Sequence, residues 1–61
     1  MKITYCRDKP KAFLCEREEQ RLPDAGAFVE LVGTRYQIRR VERVAREALA
    51  YVMPDEVDAQ G

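Results

Sequence analysis

Histidine and serine are both missing from this chain of 61 residues. The first absence removes the commonest general acid–base group, and the two together leave Thr4 and Thr34 with nothing to activate them as nucleophiles. No glycine-rich phosphate loop can be assembled from the three glycines, which lie far apart. Structural zinc needs four nitrogen or sulfur ligands, and two cysteines, Cys6 and Cys15, do not supply them. The expectation is therefore a protein that is not an enzyme and holds no metal or cofactor. Net charge is also lacking: eleven Lys plus Arg balance eleven Asp plus Glu. That balance removes the uniform field that draws a protein to nucleic acid or anionic lipid. No apolar run approaches the core of a signal peptide or the roughly 20 residues of a membrane span. A soluble, cytoplasmic protein is expected, with both thiols free in a reducing compartment.

What is present is enough to fold. Hydrophobic residues make up 46% of the chain, above the range of disordered segments. The length allows one small domain, read as 1–54, followed by an acidic flexible tail at 55–61. A domain of this size buries only roughly 60% of the surface its unfolded chain exposes. Ile3-Thr4-Tyr5 alternates, charge and Pro10 interrupt at 8–11, and Ala12-Phe13-Leu14-Cys15 resumes an apolar run. The pattern reads as a hairpin in which Tyr5 faces Phe13 and Ile3 faces Cys15, leaving Cys6 on the other face. A polar connector follows over 16–25, and its Pro23 forbids a central strand there. Phe28-Val29-Glu30-Leu31-Val32 is strand-like, with a turn at Gly33-Thr34.

Residues 33–54 carry two readings. Ile38, Val41, Val44, Ala45, Ala48, Leu49 and Val52 recur at helical spacing, Thr34 with Gln37 fits a capping box, and Pro54 is a stop signal. This gives an α+β alternative with a C-terminal helix at about 35–53. Against it, Tyr36-Gln37-Ile38 alternates and Tyr51-Val52 precedes Pro54. The spacing Pro23-x-x-Gly26-x-x-Val29-x-Leu31-x-Gly33-x-x-Tyr36-x-Ile38-x-x-Val41 resembles a hairpin pattern of small SH3-like β-barrel or meander proteins of bacteria and phages. The resemblance spans about a third of the chain and implies a fold, not a function. It implies an all-β chain, a small antiparallel meander or open barrel of about five strands. In that arrangement Val29, Leu31, Tyr36 and Ile38 share an inner face. Arg39-Arg40 demand a bulge, and 45–47 turn the chain into a last strand at about 49–53.

The charges are unevenly placed. Arg35, Arg39, Arg40, Arg43 and Arg46 face only Glu42 over 35–46, whereas the chain beyond Arg46 carries acids and no base. Arginine presents a planar fork that matches carboxylate or phosphate. With Tyr36 these five arginines form the candidate partner-binding surface, and a larger protein with an acidic surface is the expected partner. With the small size and the absent chemistry, the resemblance to phage proteins suggests by analogy a phage-type accessory or inhibitor protein that blocks a larger partner. A nucleic-acid-binding module using 35–46 is the alternative, and a homodimer is a third possibility because so small a core gains from association.

Overall fold

The computed structural model describes residues 1–55, and all of its regular structure is strand. The strands are β1 (Lys2–Arg7), β2 (Ala12–Glu18), β3 (Phe28–Leu31), β4 (Thr34–Val44) and β5 (Glu47–Pro54). They form one sheet in the order β2-β1-β5-β4-β3. Residues 35–53 therefore form two strands and a turn, and the helical alternative does not hold. Two antiparallel units, the β1–β2 hairpin and the β3–β4–β5 meander, join where β1 and β5 run parallel.

One face of the sheet curls around the core. Ile3, Tyr5, Leu31, Tyr36, Ile38, Ala48, Ala50 and Val52 are buried there, and Val29, Val41, Leu14 and Cys15 pack against them. The central strand β5 contributes alanines, and β1 sets large side chains beside them: Ile3 lies next to Ala48 and Tyr5 next to Ala50. On the concave side of a tightly curled sheet, large residues fit only where the neighbouring strand is small. Those alanines are also what gives 45–50 its helix-forming composition.

The turns decide local geometry. Val32 and Gly33 join β3 to β4 with φ of 50° and 79°, the two positive values a type I′ hairpin requires. The turn is one residue earlier than Gly33-Thr34, because Thr34 already pairs with Leu31. Ala45 and Arg46 join β4 to β5, with Ala45 at φ 57°. The left-handed residue there is an alanine, so the turn forms without the glycine or asparagine a sequence reading looks for. Gly26, at φ 94°, turns the chain into β3 and donates its N–H to the Ile38 carbonyl at 2.6 Å.

Two strands, β4 and β2, carry a bulge. In β4, Ile38 pairs with Val52 and Arg40 with Tyr51, so Arg39 is the bulged residue, as Arg39-Arg40 led one to expect. In the first hairpin the register differs from expectation. Tyr5 pairs with Cys15, Ile3 with Arg17 and Cys6 with Phe13, so a bulge at Leu14 shifts the pairing. β2 then runs on to Glu18, three residues into the expected connector. Both thiols are free; Cys15 packs on the core and Cys6 lies on the opposite face beside Tyr51.

The curl brings the two edges of the sheet together without a ladder between them. Arg17 on β2 crosses the concave side, stacks 6.0 Å from the Tyr5 ring and donates to the Glu30 carbonyl of β3 at 2.7 Å. At the same rim the Tyr5 hydroxyl donates to Glu19 Oε2 at 3.3 Å. Burial, with the adjacent Glu19 carboxylate and that hydrogen bond, pushes the Tyr5 phenol up to about 12.

Candidate protein-interaction face

Strand alternation, adjusted for the bulge, sorts the candidate residues. Tyr36 shares the concave side with Ile38 and is only 7% exposed, so it is a core residue and takes no part in a surface patch. The five arginines are all exposed but do not share a face. Arg35 and Arg40 lie on the outer face of the sheet, opposite Glu30 and Tyr51. Arg43 pairs with Ala48 and so belongs to the concave side; Arg39 is the bulge residue and Arg46 sits at the tip of the β4–β5 turn. The run that reads as a single patch in sequence is split by the pleat.

The outer face gathers what the run alone does not. Arg35 places its guanidinium 4.4 Å from the centre of the Phe28 ring, and Arg40 lies 4.2 Å from that of Tyr51. Lys11, from the β1–β2 turn, stands 5.9 Å from the same Tyr51 ring. Arg40 and its neighbours cover Tyr51 so well that it is 6% exposed although it faces away from the core. Phe28 and Phe13, by contrast, are 50% and 64% exposed. Sequence reasoning missed Phe13, Phe28 and Tyr51 as site residues. For Phe28 and Tyr51 the signal lies in their pairing with outward-facing positions of β4, whereas the bulge at Leu14 hides it for Phe13.

Each stacked arginine also has an acid beside it. Arg35 Nε is 3.4 Å from Asp55, and Arg40 Nη1 is 3.3 Å from Glu42. Both arginines remain more than half exposed, so these pairs are weak and leave guanidinium donors available to a partner. Asp55 itself is docked against Arg35 through the ion pair and a backbone hydrogen bond to the Arg35 carbonyl, whereas 56–61 of the expected acidic tail lie outside the described residues. Further acids border the face: Lys2 bridges Glu16 and Glu47 at 4.0 and 3.8 Å. Among the described residues no three acids or thiols converge to hold a metal ion. No protein-family model matches the chain, and no curated protein or solved structure is significantly similar to it.

Proposed function

We propose that this chain is a small non-enzymatic protein-interaction module that engages a carboxylate-rich surface of a larger protein through the outer face of its sheet. The observation that carries the reading is the pair of guanidinium–aromatic stacks, Arg35 on Phe28 and Arg40 on Tyr51, beside exposed Phe13. Stacking holds each fork in place before a partner arrives, so less side-chain entropy is lost on pairing with a carboxylate. Arginine and aromatic residues are also those whose truncation most often costs an interface its affinity. A module of this kind acts by occupying its partner's surface.

Exposed Phe13 and Phe28 beside Lys11 and Arg35 also resemble the stacking platforms of single-strand binders, which supports the nucleic-acid reading. Glu16, Glu30, Glu42 and Glu47 share that face and break up the continuous positive track a phosphate backbone follows, whereas separate carboxylates of a protein surface can meet Arg35 and Arg40 one at a time, so the protein partner is favoured. Photo-crosslinking from a benzoylphenylalanine at position 28 separates the two. An acidic protein should be crosslinked saturably, and the crosslink should be lost when Arg35→Gln and Arg40→Gln are combined. Saturable binding of a single-stranded oligonucleotide tighter than about 100 μM at physiological salt, falling steeply as salt rises, would replace this reading with the alternative.

A further inference from the structure

The sheet has three open edges, and they are not equally protected. β2 ends in Glu16-Arg17-Glu18, a run of charge of the kind that discourages strand pairing. β3 is only four residues long, and the outward carbonyl of its Glu30 is already taken by Arg17. The third edge belongs to β4, which at eleven residues outlasts its neighbour by far. β3 covers it only from Thr34 to Gln37, and Gly26 and Ala27 hydrogen-bond the backbone of Ile38. From Arg39 to Val44 nothing among the described residues pairs with the side of β4 turned away from β5.

The ladder shows which groups are left. Val44 and Glu47 close the two-residue turn, so the bonded pairs toward β5 are Val44–Glu47, Glu42–Leu49 and Arg40–Tyr51. Val41 and Arg43 alternate with them and turn their N–H and C=O groups outward. The same alternation holds at Ile38, whose outward groups are the ones that bond Gly26 and Ala27. An added strand would therefore continue the row begun there, with two residues' worth of donors and acceptors ready for it.

We infer that the partner docks by strand addition, laying an extended acidic segment along Arg39 to Val44 of β4. Side chains at this edge choose the occupant. Arg39, Arg40, Arg43 and Arg46 surround it against Glu42 alone, so carboxylates on the incoming strand meet opposite charge. Half-buried Val41 on the concave side offers an apolar neighbour. A second copy of this chain pairing the same edge about a twofold axis at Val41 sets Arg39 against Arg43 of its partner at both ends, and although Arg40 then meets Glu42, the net positive charge of both edges favours an acidic segment over a second copy. Main-chain bonds then supply affinity and the arginines supply selection. This inference rests on the proposed interaction role but assigns the mode of contact, and the two can fail separately.

The test uses an end-capped peptide of alternating glutamate and valine, its lysine–valine counterpart, and two glutamate–valine versions N-methylated on either alternate set of residues. The probe should bind saturably, and the lysine version at least tenfold more weakly. One N-methylated version should lose binding while the other keeps it, because only one set of N–H groups faces β4. Hydrogen exchange supplies the second readout: the Val41 and Arg43 amides should exchange rapidly in the free protein and become protected with peptide bound. Arg39→Gln with Arg43→Gln should weaken binding at least tenfold at an unchanged melting temperature. Strand addition is overturned if no peptide saturates, if both N-methylated versions bind equally, if the protein dimerises through this edge instead, or if Val41 and Arg43 stay unprotected. The last result, with binding still sensitive to Arg35 and Arg40, would leave the outer-face interaction standing.

Discussion

Replacing Val32 with asparagine should stabilise this protein. Val32 holds φ 50° at the first central position of the β3–β4 turn. A left-handed backbone costs an ordinary L-residue roughly 1–2 kcal/mol, and a β-branched side chain is among the least tolerant. Asparagine enters this region far more readily. Little is lost in exchange, since Val32 is 74% exposed. Full burial of a valine contributes about 1.5–3 kcal/mol, so the quarter that is covered is worth about 0.4–0.8 kcal/mol. The net gain is about 0.5–1 kcal/mol, a rise of roughly 2–8 °C in melting temperature for a domain this small. Val32→Thr is the control, because it changes polarity while keeping the branched Cβ, and its melting temperature should stay close to wild type. Val32→Gly should gain less than asparagine, since it also loosens the unfolded chain by about 0.4–1 kcal/mol. Thermal denaturation followed by circular dichroism reads all three. If Val32→Asn melts at or below the wild-type temperature, the strained left-handed turn is not a feature of the protein.

Ile3→Ala removes a fully buried side chain that β1 sets against Ala48, and should cost about 2–5 kcal/mol. Against a net stability on the order of 3–5 kcal/mol, that takes away about half of the stability or all of it; a cooperative melt near wild type would contradict the core assignment. The Tyr5 phenol keeps its proton in the folded chain up to about 12, whereas the unfolded chain releases it near 10.0. The folded state therefore holds more protons across that window, so the contribution is present below pH 10 and is lost as pH rises to 12. With the hydroxyl at the solvent-facing rim the loss should be roughly 1–2 kcal/mol, less than the full shift implies. In denaturant titrations wild type should lose stability relative to Tyr5→Phe by that amount over this range, and a difference that stays constant with pH would show that Tyr5 is not shielded. Gly33→Ala meets no steric obstacle, yet at φ 79° it should destabilise by about 1 kcal/mol for conformational reasons alone; unchanged stability would argue against that φ.

Much of the architecture was legible because local rules carry it. The alternation of Val29 with Leu31 and of Tyr36 with Ile38, the tight entry at Gly26 and the bulge at Arg39 all follow from pleat and turn chemistry. The first hairpin was not legible in register, because Ala12-Phe13-Leu14-Cys15 is apolar throughout and does not say which residue faces the core. The helical alternative arose from the three- and four-residue spacing of Ile38, Val41, Val44, Ala45, Ala48, Leu49 and Val52 and from helix-forming alanines, and Ala48 and Ala50 are small because Ile3 and Tyr5 stand beside them across a parallel pair that no local pattern announces. The interaction surface was half legible. Arg35 and Arg40 were named, but the alternation that buries Tyr36 also sends Arg43 to the other face; Phe28 and Tyr51 join through the β3–β4 and β4–β5 pairs, and Phe13 only through the bulged first hairpin and the parallel β1–β5 pair.

The most direct test of the interaction face is a titration of the purified crosslinked partner with wild-type protein and with the Arg35→Gln, Arg40→Gln double variant. Binding should weaken at least tenfold, about 1.4 kcal/mol, while the melting temperature shifts by no more than exposed pairs allow. Equal affinity for the two proteins would contradict the account, because the stacked guanidinium groups of the outer face would then play no part in recognition.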